Sequence, residues 1–128
     1  MRPVTIVAGF GLLLLLGCST PEVPAETPAD GLRAIIALYE SGDFATLIRS
    51  RYAEIDKAET EAQVTALITR FETQFEEPSR REEAITTYTA LLDQTPTLSD
   101  DGRTATYTAE SGTVRLSRMA NGRWGFRL

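Results

Sequence analysis

The residues able to do chemistry in this chain are few, and the absences narrow the options first. In 128 residues there is one cysteine, Cys18, and no histidine. With no imidazole to activate them, Ser41, Ser79, Ser111 and Ser117 have no basis as nucleophiles, and a transition-metal site lacks its usual ligands. General acid–base work would fall to carboxylates or tyrosines shifted by burial. The paired acids Glu76-Glu77 and Glu82-Glu83 sit where helices end and begin, the ordinary place for solvated charge. Asp100-Asp101-Gly102 lacks the alternating acids and distal glutamate of a calcium loop and reads as a turn. Tyr39, Tyr52, Tyr88 and Tyr107 fall on apolar stripes, as core rings with a hydroxyl near the rim. If the domain encloses a ligand, these tyrosines and Trp124 would line it, with Arg115 or Arg123 contacting an anionic group. No cofactor is expected.

Helical periodicity accounts for the first two thirds of the folded part. Leu32, Ile35, Ile36 and Tyr39 share one face, with Asp30 as N-cap and Gly42 as terminator, giving a helix over 30–41. Asp43 caps a second helix carrying Phe44, Leu47, Ile48, Tyr52 and Ile55. A third carries Val64, Leu67, Ile68, Phe71 and Phe75 and ends before Pro78. Ser79 and Glu82 form a capping box for a fourth, with Ile85, Tyr88, Leu91 and Leu92. After Pro96 the period changes to two. Thr97 to Ser99 form a short edge strand, and Ala105, Tyr107 and Ala109 alternate with threonines. Beyond the Ser111-Gly112 turn come Val114 and Leu116. Asn121-Gly122 signals a type I′ hairpin into Trp124, Phe126 and Leu128. The expected fold is α+β: about four N-terminal helices on one face of a small antiparallel C-terminal sheet of three to four strands. Trp124, Phe126, Phe44, Phe71 and Phe75 should be central to the core.

Charge is uneven along this fold. Residues 30–101 hold fifteen acids and seven bases, whereas residues 103–128 hold five arginines and Glu110. Attraction between two halves of one fold explains this more simply than an acidic docking surface opposite a basic strip. The acidic balance, net −5, argues against nucleic acid as a partner.

The N-terminus has its own logic. Met1 and Arg2 precede an apolar run from Val4 to Leu16, too short for a spanning helix of roughly 20 residues but suited to an export signal. An ordinary signal peptide, or a cytosolic chain with an apolar start, would also contain such a run. The segment Leu15-Leu16-Gly17-Cys18 resembles the lipobox of bacterial lipoproteins, although Leu16 is bulkier than the alanine or serine most usual there. The resemblance implies that the Cys18 thiolate takes a diacylglyceryl group, that cleavage follows Gly17, and that residues 1–17 are a signal peptide. A lone thiol in an exported chain fits that fate, since it can form no internal disulfide. Two or three acyl chains, at about 0.8 kcal/mol per buried methylene, would hold the chain on the membrane. Ser19, where an aspartate would signal inner-membrane retention, implies the periplasmic face of the outer membrane if the organism has one. Residues 18–29 then form an acylated cysteine and a proline-rich tether, reaching about 35 Å at roughly 3.1 Å per residue, and residues 30–128 a single domain.

Two segments carry a second resemblance: Leu32 to Phe44, a helix, a Gly-Asp corner and an aromatic, and the ending through Asn121-Gly122 to Arg123-Trp124-Gly125-Phe126. They are similar to small exported members of the NTF2-like (SnoaL-like) superfamily, which fold as a cone of helices against a curved sheet. No clear strand pair separates the second and third helices, so the cone is expected to be reduced. The membrane address, the tether and the missing catalytic constellation together point to a lipid-anchored, non-catalytic envelope domain that binds a protein partner or small ligand; the NTF2-like resemblance implies as the alternative an isomerase or hydrolase using a buried carboxylate.

Overall fold

A computed structural model describes residues 25–110 and 112–127. The lipobox, Cys18 and most of the tether lie outside the described residues, as do Ser111 and Leu128. The helices are α1 (Pro28–Ser41), α2 (Phe44–Arg51), α3 (Glu61–Gln74) and α4 (Pro78–Leu91), with a single 3₁₀ turn at Ile55–Lys57. They precede an antiparallel meander of β1 (Thr97–Leu98), β2 (Thr104–Ala109), β3 (Gly112–Arg118) and β4 (Trp124–Phe126), in sheet order β1-β2-β3-β4. The chain is α+β, with its helices N-terminal to the sheet.

The two-residue alternation decides which face of the sheet is covered. Ala105, Tyr107, Leu116, Trp124 and Phe126 are buried and join Leu32, Ile35, Tyr39, Leu47, Ile48, Phe71 and Leu91 in one core cluster. The register places Leu116 opposite both Ala105 and Phe126, so these three share a face across β2, β3 and β4. Thr104, Thr106, Thr108, Thr113, Arg115 and Ser117 alternate with them on the other face.

Several boundaries differ from the sequence expectation, each for a local reason. The N-cap of α1 is Thr27 rather than Asp30. The Thr27 hydroxyl accepts from the Asp30 N–H at 3.1 Å and the Asp30 carboxylate accepts from the Thr27 N–H at 3.3 Å, a capping box that places Pro28 at the first helical position. Helix α2 stops at Arg51 instead of continuing to Ile55, because Tyr52 turns extended and forms a parallel bridge with Phe126. The expected Ser79–Glu82 box is not formed. Glu77 stands at the N-cap of α4 without a side-chain bond, and Pro78 supplies the pre-set φ of the first turn. At Asn121-Gly122 only the glycine has positive φ, 85°, whereas a type I′ turn needs it at both central residues. The Gly122 N–H instead closes a turn onto the Met119 carbonyl at 2.9 Å, and Gly122 takes the left-handed position that follows. Gly42 (φ 75°) ends α1 and Asp43 caps α2 through the Thr46 N–H at 3.1 Å, both as expected.

Candidate functional site

Two constructions flank the core, one closed and one open. The closed one begins with spacing. Phe44, Leu47, Ile48 and Arg51 lie at 0, 3, 4 and 7 along α2, so the guanidinium of Arg51 is carried on the buried stripe. It is buried in the structure, the only charged side chain that is so among the described residues. Such a charge needs a partner and saturated hydrogen bonds. Arg51 donates to both oxygens of Glu26, at 2.7 and 3.0 Å, and to the Trp124 carbonyl at 3.1 Å. Glu26 also accepts the Trp124 backbone N–H at 2.8 Å, while its own carbonyl accepts the Trp124 indole N–H at 2.9 Å. Burial pushes the Glu26 carboxyl up, but Arg51, the Trp124 N–H and the charge of Arg123 outweigh it and hold the group below its usual range.

Two glycines allow this approach. A Cβ on Gly31 would stand 2.7 Å from that of Trp124, and one on Gly125 would stand 2.5 Å from the Arg51 carbonyl oxygen. Together with the Ala53 N–H, which donates to Phe126 at 2.9 Å, these contacts cover the free edge of β4. The opposite edge of the sheet is treated similarly. Beyond β1, the Gln94 side-chain amide donates to the Thr108 carbonyl at 2.7 Å and accepts from its N–H at 3.3 Å, in place of a strand.

The open construction lies along Tyr88. A chain of ring contacts runs from Tyr88 to Tyr39 (5.7 Å between centroids), Phe75 (5.2 Å), Phe71 (5.7 Å), Phe126 (5.7 Å) and Tyr52 (5.6 Å). Where this chain reaches the surface, two cavities share Tyr88 and Val114. One, of about 300 Å³, is walled by Tyr39, Phe75, Arg80, Glu83 and Thr87. The other, of about 430 Å³, is walled by Thr113, Arg115, Phe126 and Arg127, so its only charged lining residues are two arginines. Arg127 also pairs with Glu54 at 3.3 Å. Arg115 is exposed and has no acidic partner among the described residues. Burial pushes the Tyr39 and Tyr88 hydroxyls up, and for Tyr39 the neighbouring Tyr88 adds to the effect. Both therefore stay protonated at neutral pH and offer an O–H rather than a base.

Of the residues singled out from sequence, the groove brings together Tyr39, Tyr88 and Arg115. Tyr52 packs on Phe126 and its hydroxyl approaches Glu54 at 3.4 Å. Tyr107 is a core residue on β2. Trp124 belongs to the closed construction and does not line the groove, because its indole is committed to Glu26. Arg123 is exposed near Glu26, remote in the register from Arg115. Cys18 lies outside the described residues. Arg127 and Phe126 were not singled out for the groove, nor Arg51 and Glu26 for the lock. The position of Arg51 on an apolar stripe is a readable signal, whereas nothing in the proline-rich stretch marks Glu26. Among the described residues no group of three acids is placed to hold a metal ion, and Asp101 instead accepts from Ser99 and from the Arg103 N–H in the turn before β2.

Comparison of the chain with protein-family models, curated proteins and solved structures finds no match.

Proposed function

We propose that this chain is a bacterial lipoprotein of the cell envelope: a non-catalytic α+β domain of reduced NTF2-like type, held by acyl chains on Cys18, that binds a protein partner or small ligand in the Tyr88 groove. The observation that carries the binding reading is the chemistry of that groove. It joins aromatic walls and the Tyr88 hydroxyl to two arginines at its rim, with no acid lining its basic half. An isomerase or hydrolase would need a carboxylate held free inside the fold. The half-buried acids, Glu26 and Glu54, are both paired with arginines, and every other described acid is exposed. The address rests on Leu15-Leu16-Gly17-Cys18, with Ser19 favouring the outer membrane of a diderm. No helix among the described residues is long and apolar enough to cross a membrane, so a membrane address depends on the anchor.

Cys18→Ser tests that address. Wild-type protein should fractionate with membranes and carry an acyl mass on Cys18, and the variant should leave the membrane fraction or remain unprocessed. Wild-type protein recovered soluble and unmodified would contradict the anchor.

A further inference from the structure

The point where the chain joins the domain is fixed by the Glu26 lock, and that constrains which surface can face the bilayer. Cys18 and Glu26 are eight residues apart, about 25 Å even as an extended proline-rich chain. A folded unit of roughly 100 residues has a radius of gyration of about 13 Å, equivalent to a sphere about 33 Å across. The connection is therefore shorter than the domain is wide. The surface around Glu26 can reach the membrane, and the surface opposite it cannot.

Arginines cluster where the chain joins. Arg123 is near enough to act on the Glu26 carboxylate. The Arg118 guanidinium lies 5.9 Å from the Trp124 ring centroid, over the indole that donates to Glu26. Arg103 is tied to Arg118 through its carbonyl, at 2.8 Å, and lines one shallow cavity with Arg118 and Met119. The acids near this end include Asp30, paired with Arg33, Asp100, and Asp101, which lines the same cavity and is engaged in the turn with Ser99 and Arg103. At the far end of β3, six residues or about 20 Å away, Glu83 and Glu110 line the cavity between α4 and β2, which has no basic residue in its lining.

We propose that the end of the sheet bearing Arg103, Arg118 and Arg123 rests on the anionic headgroups of the bilayer that holds the chain, leaving the Glu83–Glu110 end pointing away from it. This rests on the lipid-anchor reading of Cys18. Because the native thiol is acylated on that reading, a cysteine placed elsewhere labels specifically. The test uses the acylated chain in vesicles of three parts phosphatidylcholine to one part phosphatidylglycerol, with a fluorophore on Asn121→Cys or on Glu77→Cys and a nitroxide quencher on the headgroups. Mass spectrometry of the Cys18 peptide reports the anchor separately. The Asn121 label should be quenched several-fold more than the Glu77 label, and the difference should shrink in pure phosphatidylcholine and in Arg118→Glu/Arg123→Glu. With the acyl mass present, equal quenching of the two labels, or a difference indifferent to lipid charge and to the double variant, would overturn the orientation. Absence of the acyl mass would remove the anchor, and the orientation with it.

Discussion

The two ends of strand β3 are built on opposite plans. Near Arg118 and Leu116 it is paired on both sides, and the outer edge of its neighbour β4 is closed by Glu26, Arg51, Tyr52 and Ala53. From Thr113 to Arg115 it pairs with β2, while β4 pairs only with residues 116 to 118. That second half borders the groove along Tyr88. One strand thus serves as a structural floor at one end and borders an open groove, the proposed binding surface, at the other. The buried charge placed in the closed end makes three hydrogen bonds, two of them to a carboxylate. The arginines of the open end keep much of their solvent access.

Breaking the closed end should produce the largest effects. Trp124 anchors it through ring, indole N–H and backbone, and Trp124→Ala should cost about 3 to 5 kcal/mol, on the order of 15 °C in Tm. Denaturant or thermal unfolding checks this, and a loss under about 1 kcal/mol would show that the ring does not hold the end together. A smaller effect separates charge from packing. Because the Glu26 carboxyl is held below its usual 4.5, its ionised form favours the fold. That contribution is complete above the unfolded pKa and is lost as pH falls through the depressed folded value. Glu26→Gln should therefore lower stability at neutral pH and flatten its decline below about pH 4.5. An unchanged acid limb in stability measured against pH would mean that Glu26 contributes no linked charge. The open end should respond least in stability. Arg115→Glu should shift unfolding by no more than about 0.5 kcal/mol while, on the proposed binding role, abolishing retention of whatever co-purifies with the wild-type protein. Unimpaired retention would remove the groove from the binding surface.

The asymmetry between the ends also explains what was legible in the chain. Periodicity exposes elements that bury one stripe, which is why four helices and a meander could be drawn from Leu32 to Phe126 in the observed order. It also placed Tyr39, Tyr88 and Arg115 among the candidates, since rings on apolar stripes and strand arginines are visible by type. Boundaries set by tertiary contact were less visible. Tyr52 leaves the helix because Phe126, seventy-four positions later, offers a bridge. Glu26 looked like part of a solvated tether because its neighbours are prolines and alanines. Its partners, Arg51 and Trp124, are distant in sequence, so no local window contains the reason for its position.

Glu26 links the N-terminal segment to the closed end, and amide exchange reads that link directly. In wild-type protein both the backbone N–H and the indole N–H of Trp124, which donate to Glu26, should exchange only through global unfolding. In Glu26→Ala both should exchange much faster than the core amides of β2 and β3. If the two Trp124 protons exchange in wild-type protein as fast as the exposed amide of Asn121, the closed end is not locked by Glu26, and the account of how the N-terminal segment joins this domain is contradicted.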